Sequence, residues 1–200
     1  MPEKTVQKEP GKKPAPSKKP KPQQEVVVQI PLSELHPFPN HPFQVREDAS
    51  MQETAESVKE YGVLVPALAR PREDGGYELI AGHRRKHACE LAGLATMPVI
   101  VRDIDRDAAT IIMVDSNLQR ENILPSERAK AYKMKMEAIK RQGARTDLTS
   151  PKISAKFRSD DEVGQDAGVS GDTIRNYIAL TQLVPELQQM VDEKKIALSP

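Results

Sequence analysis

Cysteine is nearly absent from this chain: Cys89 is the single one among 200 residues. That excludes an intramolecular disulfide framework and leaves no cysteine cluster for zinc, which suits a reducing cytosol. No apolar run approaches the roughly 18 residues of a membrane span, and the N-terminus lacks the apolar core of a secretory leader. The expected location is therefore the cytoplasm, with no membrane partner. Composition is otherwise ordinary for a soluble chain of one or two domains, at 38% hydrophobic and 30% charged. The 17 prolines and a mean hydropathy of −0.59 point to substantial unstructured length.

The net charge of +1 conceals an asymmetry. Residues 1–24 carry seven Lys, two Glu and six Pro with almost no apolar side chains, whereas residues 25–200 are net acidic by four charges. Such a tail has too little apolar surface to fold. Two readings stand, a solubilising linker and an electrostatic contact with nucleic acid or an acidic partner.

Beyond the tail, the pattern predicts a strand at Val26 to Ile30, a proline-punctuated loop from His36 to Pro42, and an amphipathic helix from Ser50 to Tyr61 stopped by Gly62. Strands follow at Leu64 to Arg70, Tyr77 to Ala81 and Met97 to Arg102, with a helix between the last two and another from Asp107 to Leu118. This reads as an α+β unit over residues 25–122. From Pro125 the pattern is helix only, with Ser126 as a candidate cap and a stop at Gly143. A basic loop follows, carrying Arg145, Lys152, Lys156 and Arg158.

The segment around Gly82 carries the chemistry. An alternating strand runs into Gly82, His83, Arg84 and Arg85 and then directly into a helix. A glycine at such a turn lets backbone N–H groups approach an anion, and a helix start adds partial positive charge. Two arginines there oppose the macrodipole, so an anion would offset them. Helical spacing sends Arg84 and Arg85 to different faces, so they cannot both be buried packing. From these residues alone, a solvated basic turn and a phosphate site both remain open.

Asp160 to Leu180 fits a helix-turn-helix. Gly164 lies where two helices must approach, Gly168 at a turn needing positive φ, and Val163, Val169, Ile174 and Tyr177 supply apolar contacts. Ser170 is placed to cap the second helix. Its start, with Ser170, Gly171, Asp172, Thr173, Arg175 and Asn176, would then face base edges and phosphates, aided by Lys156 and Arg158. A plain helical hairpin is the alternative.

Together these features resemble the ParB family of DNA-partition proteins, from about Val26 to Pro200. Asn40 to Arg46 looks like the first ParB box, Gly82 to Arg85 like the second, and Ser116 to Glu121 like the third. The resemblance implies an α+β nucleotide-binding N-terminal domain followed by an all-α helix-turn-helix domain over residues 123–200. It implies a homodimeric clamp that binds CTP and Mg²⁺, recognises a palindromic parS-like duplex, and works with a ParA-type ATPase on a nucleoid or plasmid. The nucleotide would lie near Gln44, Arg46, Gly82, His83, Arg84, Arg85, Asn117 and Arg120, with Asn117 at the matching metal position. ParB relatives continue into a C-terminal dimerisation domain, so the chain is expected to be truncated and monomeric until nucleotide or DNA pairs it.

The departures bear on turnover. Many ParB proteins have Glu at the positions of His83 and Ser116, and Pro at that of Val45. Mg²⁺ prefers hard oxygen ligands, so losing two carboxylates should weaken the metal and slow any CTP hydrolysis. The tail offers lysines but no arginine, which leaves stimulation of a partner ATPase open. It also lacks the amphipathic helix of a membrane-binding nucleoid-occlusion relative. Two other readings are a small-molecule kinase or hydrolase on this scaffold, with Glu78, Asp115 or Glu121 as base, and a simple transcriptional regulator.

Overall fold

A computed structural model describes residues 25–120, 122–146 and 159–198. The basic tail, Glu121, Lys156 and Arg158 lie outside the described residues.

The N-terminal half is a mixed α/β layer. Strands β1 (Val27–Pro31), β2 (Leu35–Pro37), β3 (Ala67–Pro71), β4 (Tyr77–Ala81) and β5 (Thr96–Val101) form one sheet in the order β1-β5-β3-β4-β2. β1 pairs antiparallel with β5, β5 parallel with β3, β3 antiparallel with β4, and β4 parallel with β2. Side chains alternate across a strand, so Leu79 enters a cluster with Met51, Val58, Ala69 and Val99 on one face. Its neighbour Ile80 enters a second cluster with Phe38, Phe43, Met113 and Ala131 on the other. Helices α1 (Ala49–Tyr61) and α2 (His83–Leu91) supply Met51, Val58 and Ala88 to the first face, and α3 (Arg106–Leu118) supplies Ala109, Met113 and Val114 to the second.

Two differences from the sequence reading concern backbone partners. The third strand begins at Ala67, not Leu64, because the Val65 and Pro66 carbonyls accept hydrogen bonds from the Arg85 guanidinium (2.6 Å each) while Leu64 and Val65 stand exposed. The expected loop at His36 starts instead within strand β2, with Leu35 buried and Pro37 on a sheet edge where its missing N–H costs nothing.

The C-terminal half is helical. α4 (Pro125–Thr146) runs past Gly143, and α5 (Ser159–Ala167), α6 (Gly171–Leu180) and α7 (Pro185–Asp192) pack against it. Successive residues of α4 turn by about 100°, and each face meets a different neighbour. Ala131 joins Ile80 and Met113, Tyr132 joins Val163 and Ile174, and Ala129 joins Leu180 and Val191. One helix thus belongs to both halves. Ser126 is not its cap: helix begins one residue earlier, and the Ser126 N–H and hydroxyl donate to Asp192 of α7 at 2.8 and 2.5 Å.

The α5–α6 turn follows its glycines. A Cβ at Gly164 would sit 2.6 Å from the Val169 carbonyl, and Gly168 has φ +68°. Ser170 caps α6, its Oγ accepting from the Thr173 N–H at 3.1 Å.

Candidate functional site

Three chain segments bring guanidinium groups to one cleft of 590 Å³. The loop after β2, fixed inward by buried Phe38 and Phe43, carries Gln44 and Arg46 to its rim. The start of α2 contributes Arg84, and the chain leaving α3 contributes Gln119 and Arg120. Asp48 and Ser50 at the head of α1, with Asn122, Ile123 and Glu127 around the head of α4, complete the lining.

Gly82 makes this arrangement possible. Its φ is +110°, and a Cβ there would lie 2.8 Å from the Ala67 Cβ, so any side chain would push α2 off the sheet. As the N-cap of α2 it offers no side chain, and the first N–H groups of the helix have no side-chain cap. Arg84 lies beside this helix start. Its Nη2 donates to Ser50 Oγ at 3.2 Å and lies 3.8 Å from Asp48 Oδ1.

The carboxylates lining the cleft are already engaged. Asp48 Oδ1 accepts the Met51 N–H at 2.9 Å as the cap of α1. Glu127 accepts the N–H of Gln44 at 3.1 Å and of Leu124 at 3.3 Å. Three guanidiniums therefore face two occupied carboxylates. Burial, then the charge of Arg84, lowers the Arg120 pKa from its ordinary value, with Glu127 opposing. An anion placed among these groups would relieve that crowding.

At the other end, Ser170, Asp172, Arg175 and Asn176 are exposed at the start of α6, whereas Gly171 and Thr173 are half-buried. Arg175 forms ion pairs with Asp160 of α5 and Asp172 of its own helix. Gly171 faces α5, where a Cβ would meet Asp161 Oδ1 at 2.2 Å.

Residues 16–118 match the ParB N-terminal domain. This chain belongs to the ParB family. The chromosome-partitioning protein Spo0J of Thermus thermophilus is 36% identical over 171 residues, which cover 85% of this chain and 56% of that protein. Stage 0 sporulation protein J of Bacillus subtilis is 31% identical over 175 residues, covering 88% and 56%. Among solved structures, the C-terminally truncated chromosome-partitioning protein ParB of Caulobacter crescentus, complexed to the centromeric parS site, is similar at TM-score 0.56 and 26% identity. That match covers 86% of this chain and 80% of the other. The chain spans about half the length of the curated relatives it matches.

The three ParB boxes read from the sequence contribute unequally to the cleft. Gln44, Arg46, Arg84 and Arg120 line it, and Gly82 shapes the turn beside it. Arg85 does not line it. Its guanidinium lies over Gly82 and clamps the Val65 and Pro66 carbonyls. His83 does not line it either. Its ring lies against His41, with centroids 3.9 Å apart.

Asn117, expected as the metal ligand, is 3% exposed and donates from Nδ2 to the Met113 carbonyl at 2.7 Å and to Ser116 Oγ at 3.3 Å. It lies on the buried face of α3, outside the lining of the cleft. Among the described residues no group of three or more His, Cys, Asp or Glu forms a metal cage. Of the candidate bases, Glu78 pairs with Arg70 at 2.6 Å and Asp115 with Lys135 at 2.7 Å, both away from the cleft.

Sequence reasoning missed Asp48, Ser50 and Glu127. Two of these left a signal. Asp48 stands directly before a helical run, and Glu127 occupies the third place after Leu124, where a side chain reaches back to an N–H at a helix start.

Proposed function

We propose that this chain is the nucleotide-binding and DNA-reading part of a ParB-type partition protein, a clamp that binds CTP in the arginine cleft and a palindromic parS-like duplex through α5 and α6. The observation that carries the reading is the convergence of Arg46, Arg84 and Arg120 on a cleft closed by Glu127, which belongs to the helix on which α5 and α6 pack. Ligand in that cleft and duplex on α6 would share one rigid intermediary. The base identity, CTP, comes from the ParB resemblance of the boxes and not from the cleft's shape. The duplex reading is supported by the cap and turn geometry of α5–α6 and by similarity to a ParB solved on its parS site.

The donor set fits a triphosphate, because guanidinium groups and uncapped helix N–H groups both recognise phosphate oxygens. It does not form a metal cage of its own. Mg²⁺ would be held mainly through phosphate oxygens, as is usual for that ion. The chemistry of the cleft favours binding over fast turnover: Asp48 and Glu127 already accept backbone N–H groups, which lowers their value as a general base. Homodimer formation, a ParA-type ATPase partner and a cytoplasmic place on nucleoid or plasmid complete the proposal.

The test is occupancy of DNA around a palindromic site with and without CTP. Nucleotide-dependent spreading into flanking sequence supports a partition clamp. Occupancy confined to the site and indifferent to CTP makes the chain a simple regulator.

A further inference from the structure

His41 and His83 form a half-buried pair beside the arginine cleft, near enough to Arg120 and Glu127 of its lining for both to act on His41. Their ring centroids lie 3.9 Å apart at 44°, and each has a buried Nε2 with no hydrogen-bond partner. His41 Nδ1 lies 2.7 Å from the Phe43 carbonyl. A carbonyl only accepts, so Nδ1 carries the hydrogen and Nε2 is left with a bare lone pair. Buried polar atoms are normally satisfied, and an unpartnered one at a candidate site asks for a function.

We propose that His41 takes up a proton at Nε2 when a triphosphate occupies the cleft, so that nucleotide binding is coupled to protonation. The inference rests on the proposed nucleotide site and adds to it a group that the ParB boxes do not include as a ligand. The proton is given up by hydronium or the acid form of the buffer, whose O–H or N–H bond breaks as the N–H bond forms at Nε2.

The charged surroundings set the direction. His41 faces Arg120 from the end of α3, Glu127 from α4, and His83 from α2, with Lys86 beside His83. In the ligand-free protein, burial holds His41 below its ordinary value, outweighing the Phe43 carbonyl, and Arg120 adds repulsion that Glu127 only partly offsets. His83 is pushed down to about 3 by burial, then by His41, Arg120 and Lys86, so it stays neutral and adds no second positive charge beside a protonated His41. A polyanion seated on Arg120 reverses the local repulsion. The bound protein then holds more protons than the free one, so affinity rises as pH falls through the bound-state pKa and is flat above it.

The experiment is calorimetric titration of CTP at about pH 6.5, near the ordinary histidine pKa, in two buffers of different ionisation enthalpy, on wild type and on His41→Asn. Asparagine keeps a donor for the Phe43 carbonyl and removes the basic nitrogen. Proton exchange by the nucleotide itself is common to both proteins and cancels in their difference. Wild type should take up more protons than the variant, and its affinity should tighten about threefold or more from pH 8 to pH 6 relative to the variant. On wild type alone, the His41 ring C–H resonance should move toward the imidazolium position when CTP is added, and this readout decides the matter where the variant binds too weakly. Equal proton uptake by both proteins, or an unmoved resonance in CTP-saturated protein, overturns the inference while leaving the nucleotide site intact. Absence of CTP binding to wild type removes the site, and the inference with it.

Discussion

Glu127 accepts the backbone N–H of Gln44 at 3.1 Å, across 83 residues of sequence. Its other oxygen accepts the Leu124 N–H at 3.3 Å, so one buried carboxylate fixes the first-box loop and the head of α4 together. Glu127→Ala strands both donors and is expected to cost about 1–3 kcal/mol. Glu127→Gln keeps one acceptor oxygen and should cost less. Urea unfolding of both variants checks the order; equal stability of Glu127→Ala and wild type contradicts it.

Lys135 is 1% exposed and its ammonium joins Asp115 of α3 at 2.7 Å and Asp166 of α5 at 2.8 Å, while those two carboxylates remain about half exposed. Removing the acids should therefore harm the fold more than removing the lysine, because only the lysine would be left as an unpaired buried charge. Asp115→Asn with Asp166→Asn is expected to cost about 3–5 kcal/mol, and Lys135→Met about 1 kcal/mol. Burial opposes the charge, but the bonds to Asp115 and Asp166 outweigh it and raise the Lys135 pKa. Its contribution is thus complete at neutral pH and is lost only as alkali passes the ordinary lysine range toward the raised folded value. Denaturation midpoints across pH 7 to 11 test both statements.

Arg175 is shared between Asp160 and Asp172, which compete with any phosphate or base for the same guanidinium. Asp172→Asn frees part of that group and removes a like charge, so DNA affinity should rise about three- to tenfold at low salt, with the gain shrinking as salt increases. Arg175→Ala should weaken cognate binding by about 1–3 kcal/mol if the side chain reaches a base edge, and cognate and random duplex equally if it holds a phosphate. Fluorescence anisotropy on both duplexes separates these outcomes. An unchanged affinity in Asp172→Asn would remove the competition.

Backbone constraints were the legible part of this chain. Gly82 and Gly164 stand where a Cβ would clash, Gly168 where a positive φ favours glycine, and the helical phase separating Arg84 from Arg85 follows from their adjacency alone. Illegible features depend on partners far along the chain. β2 exists because Leu35–Pro37 finds Tyr77–Leu79, and the head of α4 is held by Asp192 and not by Ser126 itself. The second-box arginines were correctly separated, yet nothing local announced that Arg85 would spend its donors on two loop carbonyls. The surroundings of Asn117 were illegible for a related reason: its box motif is local, but its burial on the Met113 carbonyl is set by how α3 lies on the sheet and α4.

The sharpest measurement is calorimetric titration of CTP, with Mg²⁺, into wild type and Arg84→Ala, with urea unfolding of each as a control. Arg84 makes only an exposed contact to Ser50 and a long one to Asp48, so its loss should change stability by less than about 1 kcal/mol. The expected result is saturable binding to wild type and an affinity about 10- to 100-fold weaker in Arg84→Ala at unchanged stability. Equal CTP affinity in the two proteins, or none in wild type, would contradict a phosphate-holding role for the arginine cleft.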